Sequence, residues 1–328
     1  MSISESSLMN RSIFEAIPVI DLSSWSTEDI VIRKRLAQSV NTVCREVGFM
    51  YVKNHGISQS EIDQVFKEAR RFFSLPNEKK LELHYMQTGG HRGYLPMGVE
   101  STDPTANADL KEGFDCGLVL QPIGPIGPMH SRMTAPNLWP ENLHGFRETT
   151  EQYFNAILKL ARTVFQIFAL SFGMPEDFFD DKTDRPIATL RLLHYPPHIA
   201  PERNDLVGIG EHCDYECFTI LAQDEVGGLQ VQNANGDWIG APPIPGTLVI
   251  NIGEMLSRWT NDVFVATRHR VINPTGLERY SIPFFFATNN ETMISCLESC
   301  SGERNPAKHS PIAAGDYLAG RLREIYGV

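Results

Sequence analysis

From Thr189 onward the chain breaks into short apolar runs, the feature that most limits the folds open to it. Leu190 to Tyr195, Cys217 to Gln223, Leu229 to Gln232, Gly246 to Ile252 and Ser281 to Ala287 are each of strand length. Asn235-Gly236 lies between Leu229-Gln230-Val231-Gln232 and Trp238-Ile239 and signals a type I′ hairpin, whose two central residues need positive φ. Closely spaced strands with such turns predict a sandwich or jelly-roll barrel. The first half reads differently. Thr27 to Glu46, Ser60 to Phe73 and Phe146 to Phe172 carry apolar residues at helical spacing, and two short strands, Ile17 to Leu22 and Gly48 to Val52, lie among them. Asp316 to Tyr326 returns to helix. The pattern predicts a helical front half, a β barrel and a closing helix.

Length and composition narrow the class further. With 328 residues the chain can bury one large core, and 42% hydrophobic with 21% charged residues excludes disorder, collagen and coiled coil. A net charge of −11 argues against a nucleic-acid partner, which needs a basic footprint. No apolar run approaches the ~20 residues of a membrane span. Met1 to Ser12 is polar and lacks an apolar signal core, and the six cysteines read as reduced thiols, so a cytoplasmic location is expected.

The chemistry is carried by a few residues. In His212-Cys213-Asp214, extended backbone would turn His212 and Asp214 to one face and Cys213 to the other. His269 supplies a third donor 55 residues after Asp214. Two imidazoles and one carboxylate leave three metal positions open, which suits non-haem Fe(II) oxygen chemistry. A lone His-x-Asp is weak evidence, since a structural hydrogen-bonded pair accounts for most such matches. The weight comes from Arg279-Tyr280-Ser281, ten residues after His269, where a guanidinium and a hydroxyl on one strand face can clamp a carboxylate. Zinc bound through Cys213 and Cys217 is disfavoured, because no second cysteine pair stands at finger spacing. Gly208-Ile209-Gly210 lacks the third glycine of a dinucleotide loop. His55, His84, Cys296 and Cys300 read as structural.

These motifs resemble the 2-oxoglutarate- and Fe(II)-dependent dioxygenases of the isopenicillin-N-synthase-like family, from Ile17 to Tyr326. Further matches are Asn54-His55-Gly56, Phe72-Phe73-Ser74-Leu75-Pro76, Arg92-Gly93-Tyr94, Lys111-Glu112-Gly113-Phe114-Asp115 and Asn137-Leu138-Trp139-Pro140. The resemblance implies an α+β fold, a double-stranded β-helix (jelly-roll) core with flanking helices. It divides the chain into a loose tail (1–16), an N-terminal helical and substrate-loop region of the same fold (17–185), the core (186–290) and a closing C-terminal helix (291–328). It implies Fe(II) on His212, Asp214 and His269, with 2-oxoglutarate and O2 as co-substrates. The far carboxylate of 2-oxoglutarate would sit on Arg279 and Ser281, helped by Tyr195. Plant members commonly carry Asn where this chain has Leu193, and Leu190 to Pro196 looks more like microbial members such as thymine 7-hydroxylase.

The expected activity couples oxidative decarboxylation of 2-oxoglutarate to hydroxylation or oxidative rearrangement of a small organic metabolite, in secondary metabolism. The alternatives are an oxidase that uses no 2-oxoglutarate and a non-catalytic binding protein on the same fold. A monomer or weak homo-oligomer without membrane partners is expected. Gly89 to Pro140 is rich in Gly, Pro and polar residues and reads as a long loop over the barrel mouth, with His91, Arg92, Tyr94 and Phe114 as candidate substrate contacts.

Overall fold

A computed structural model describes residues 13–88, 90–99, 109–120, 135–197, 207–273 and 275–326. Among them the strands build an eight-stranded sheet in the order β1 (Val19–Asp21), β2 (Phe49–Lys53), β10 (Thr247–Ile252), β7 (Phe218–Gln223), β12 (Arg279–Asn289), β5 (Pro186–Tyr195), β4 (Glu112–Gly117) and β3 (Gly93–Leu95). A four-stranded sheet, β6 (Val207–His212), β11 (His269–Ile272), β8 (Leu229–Gln232) and β9 (Trp238–Gly240), faces it. Strand pairing is antiparallel except between β1 and β2. The expected jelly-roll core with flanking helices is present.

Alternation along the strands produces two cores. Phe218, Ile220 and Ala222 of β7 turn outward against the helices, while Thr219 and Leu221 turn inward. The helix Phe146–Ser171 lays its apolar face on the large sheet, with Phe165 5.2 Å from Phe218 and Phe154 5.3 Å from Phe284 between ring centres. The helix Gln59–Phe73 packs beside it and starts on a capping box, in which Ser58 and Glu61 satisfy each other's backbone N–H groups. The second core lies between the sheets, where Leu193, Tyr195, Ile209, Leu229, Val249 and Val271 meet. Because β12 is covered on both sides, it is buried along its length except at Phe285, which is half-buried. Gly48 turns the chain from the helix Ile30–Glu46 into β2 at φ +69°, where a Cβ would stand 2.1 Å from the Val265 carbonyl. Only glycine fits there.

The segment from Gly89 to Pro140 departs from the expected loop. It contributes β3 and β4 to the large sheet, and β4 pairs with β5 over six residues. Residues 100–108 and 121–134 of that stretch lie outside the described residues, as does nearly all of the expected N-terminal tail. No described helix is long and apolar enough to cross a membrane.

Candidate active site

The cavity opens between the two sheets. His212 ends β6 and His269 begins β11, and the two are register partners whose rings lie 4.2 Å apart. Asp214 Oδ1 is 3.6 Å from Nε2 of each histidine, and the three donor atoms lie within 4.8 Å of one another. Each ring is oriented through its other nitrogen: Nδ1–H of His212 donates to the Gly210 carbonyl at 2.8 Å, and Nδ1–H of His269 to the Thr267 carbonyl at 3.2 Å. A carbonyl only accepts, so the protons sit on Nδ1 and both Nε2 lone pairs face the centre. Burial and the neighbouring His269 hold His212 down to about 4, which keeps its imidazole neutral. Asp214 Oδ2 accepts hydrogen bonds from Thr219 Oγ1 and, at 2.7 Å, from Asn251 Nδ2, leaving Oδ1 for a metal. Cys213 takes no part in this group; its Sγ lies 3.7 Å from the Ala266 carbonyl.

Deeper in the cavity stands the cationic end. Arg279 is 1% exposed, donates through Nε to the Gly227 carbonyl and through Nη1 to Ser281 Oγ at 3.2 Å, and lies over the Tyr195 ring. It forms no ion pair with any described residue. The Tyr195 hydroxyl is buried without a hydrogen-bond partner among the described residues. A guanidinium lacking a carboxylate, beside an orphaned phenol, costs free energy unless a ligand satisfies both. A carboxylate ligand fits this pair, and the two-His, one-carboxylate set with open positions fits Fe(II).

Further groups line the cavity. Arg191 of β5 clamps Asp115 of β4 through two hydrogen bonds of 2.7 Å. Lys111 pairs with Asp109 at 2.6 Å. Glu216, Phe285, Thr189 and Leu322 complete this wall, with Leu322 supplied by the C-terminal helix Ala314–Tyr326. Burial and the nearby Asp214 push the Glu216 carboxyl up to about 7.

Of the four residues expected to contact substrate, His91 and Arg92 line the cavity. The Arg92 guanidinium donates to Thr189 Oγ1 at 3.2 Å and occupies the place a Cβ on Gly117 would take, 2.1 Å from Nη2. Tyr94 and Phe114 do not line it. Phe114 is fully buried on the opposite face of β4, packed on Phe72 with ring centres 4.7 Å apart. Tyr94 donates to Glu112 Oε2 at 2.6 Å on that same reverse side. The cavity face of β4 presents Gly113 and Asp115, because alternate residues of a strand face opposite ways. The missed signals were polar residues within apolar runs: Thr219 in Phe218-Thr219-Ile220-Leu221 and Asn251 in Val249-Ile250-Asn251-Ile252.

Comparison with known proteins agrees with this chemistry. Residues 17–142 match the family model for the non-haem dioxygenase in morphine synthesis N-terminal region, and residues 186–288 match the 2OG-Fe(II) oxygenase superfamily. The chain is 36% identical over 320 residues to the 2-oxoglutarate-Fe(II) type oxidoreductase hxnY of Emericella nidulans, covering 95% of this chain and 91% of that protein. It is 35% identical to homoarginine-6-hydroxylase 2-ODD-233 of Oryza sativa, covering 94% and 97% of the two chains. Its fold is similar to that of the Neurospora crassa thymine 7-hydroxylase in complex with alpha-KG and thymine, with a TM-score of 0.85, 33% identity, and 95% and 98% of the two chains covered. With a buried two-histidine, one-carboxylate set and matches over both halves of the chain, the protein belongs to the 2OG-Fe(II) oxygenase superfamily and is a 2-oxoglutarate/Fe(II)-dependent dioxygenase.

Proposed function

We propose that His212, Asp214 and His269 hold Fe(II), that Arg279, Ser281 and Tyr195 hold the far carboxylate of 2-oxoglutarate, and that the wall of His91, Arg92, Asp115, Arg191, Glu216 and Phe285 receives a small organic substrate. When bound, iron and 2-oxoglutarate supply the oxidising power: one oxygen atom of O2 ends in succinate as CO2 leaves, and the other serves to oxidise the substrate. The chain's own residues position and enclose. Thr219 and Asn251 keep Asp214 turned so that Oδ1 alone faces the metal. Arg279 and Ser281 fix one end of the co-substrate from a buried strand, so that its keto-acid end reaches the triad. Leu193, Leu229 and Val271 form apolar walls that exclude water around it.

The observation that carries this reading is the Arg279–Tyr195 pair, a buried cation and an orphaned hydroxyl in one cavity with the triad. An oxidase that holds a substrate carboxylate there without 2-oxoglutarate is not favoured, given the relatives, nor is a non-catalytic binding protein. The experiment is stoichiometry: with a substrate found by screening small metabolites, one succinate should form per oxidised product. Product formed without succinate would replace this reading with the oxidase.

The substrate itself is proposed only as a class, a small metabolite oxidised by hydroxylation or an oxidative rearrangement within secondary metabolism. A cytoplasmic monomer or weak homo-oligomer is proposed, and the acidic balance of −11 supports the absence of a nucleic-acid partner.

A further inference from the structure

We infer that Glu216 makes this cavity selective for substrates that carry an N–H donor, as a protonated amine or guanidine or as a neutral N–H, beside the carbon to be oxidised. The inference rests on the functional reading above and adds a substrate class to it.

The charged groups on the cavity wall are mostly matched. Arg191 is closed by Asp115 and Lys111 by Asp109, Asp214 belongs to the triad, and Arg279 faces the 2-oxoglutarate end. Glu216 differs. Its side chain lines the cavity and closes no ion pair with any described residue. Its position relative to the metal ligands is fixed by the main chain. The Asp214 carbonyl accepts from Glu254 N–H at 2.8 Å and the Glu216 carbonyl from Met255 N–H at 3.3 Å, which seats the segment on the first turn of the helix Glu254–Trp259. Gly253 allows this approach, since a Cβ there would lie 2.1 Å from the Glu216 carbonyl oxygen. The half-buried Phe285 also lines the cavity and offers an apolar surface.

A substrate entering this space strips water from Glu216. Without a donor in exchange, the Glu216 side-chain oxygens are left desolvated, and the loss falls on the substrate's affinity. An N–H placed on it removes that loss. Sites built to hydrogen-bond one group reject analogues lacking it far more strongly than apolar walls reject an extra methyl group. Arg191 attracts Glu216 but forms no ion pair with it, and its guanidinium is held in a bidentate clamp by Asp115.

The test is calorimetric binding to protein loaded with Fe(II) and 2-oxoglutarate under nitrogen, where no turnover intervenes. Two probe pairs are used: thymine against 1,3-dimethylthymine, and homoarginine against hexanoate, which keeps the six-carbon chain and the carboxylate and has no N–H. In the parent, at least one N–H probe should bind about ten-fold or more tighter than its counterpart, as expected for a hydrogen bond to a charged group. Glu216→Ala should abolish that preference while 2-oxoglutarate affinity stays unchanged. Glu216→Gln separates the two donor types: preference retained for thymine marks a neutral N–H site, and preference lost for homoarginine marks a cationic one. If neither N–H probe exceeds its counterpart in the parent, or if the preference persists in Glu216→Ala, the inference is overturned. Failure of the parent to bind 2-oxoglutarate would instead overturn the functional reading beneath it.

Discussion

The guanidinium carbon of Arg279 lies 4.5 Å from the centre of the Tyr195 ring, its register partner on the neighbouring strand. The stack and the Ser281 contact hold a planar cation in one orientation inside a buried cavity. Arg279→Ala should therefore raise the KM for 2-oxoglutarate by about 30-fold or more, through loss of a charge-assisted pair worth ~2–5 kcal/mol. Tyr195→Phe removes a single neutral donor and should raise it by only about five-fold. Iron content, measured on the purified variants, should match the parent in both.

Asp214 has its own supports. Asn251→Ala or Thr219→Val removes one of the two hydrogen bonds on Oδ2 and loosens the carboxylate. Fe(II) affinity should fall about 10- to 100-fold, as for other residues that orient a metal ligand. Equilibrium iron titration checks this, and the 2-oxoglutarate KM at saturating iron should stay near the parent value.

Phe114 belongs to the core, packed edge-on and tilted among Phe72, Phe146 and Trp139. Phe114→Ala should cost about 3–5 kcal/mol of stability in chemical denaturation. In the folded fraction the substrate KM should be unchanged. A raised KM at unchanged stability would return Phe114 to the substrate wall.

Behind the cavity, Glu112 accepts hydrogen bonds from Lys80 and Tyr94 at 2.6 Å and pairs with His194 Nδ1 at 2.7 Å. Burial alone would raise its pKa, but the contacts with His194, Lys80 and Tyr94 outweigh burial and hold the carboxyl below its ordinary 4.5. A folded pKa below the unfolded one gives stability that is complete above about pH 4.5 and is lost as pH falls through the folded value. Glu112→Gln should lower stability at pH 7 and flatten its decline on acidification. Parallel stability-against-pH curves for variant and parent would contradict this role.

Much of the site was legible because it lies in local strand geometry. Arg279 and Ser281 share a face by the period of two, and His-x-Asp places both ligands together by the same rule. What the sequence hid was pairing. Asp115 and Arg191 stand 76 residues apart and meet only because β4 and β5 align in one register. The run Glu112-Gly113-Phe114-Asp115-Cys116-Gly117 is buried on both faces, so it shows no polar-apolar alternation to say which side faces the cavity. Its two glycines also disguised the strand as loop. Phe114 is an aromatic candidate in this run, and the strand alternation puts Asp115 on the cavity side instead.

The most direct test of the account is succinate formation from 2-oxoglutarate by the full chain, with and without Fe(II), in the parent, Asp214→Ala and Arg279→Ala. The parent should release succinate only when Fe(II) is supplied. Asp214→Ala should release none at any iron concentration, and Arg279→Ala should recover at high 2-oxoglutarate. Succinate released equally by the parent and Asp214→Ala would contradict the metal centre assigned to His212, Asp214 and His269.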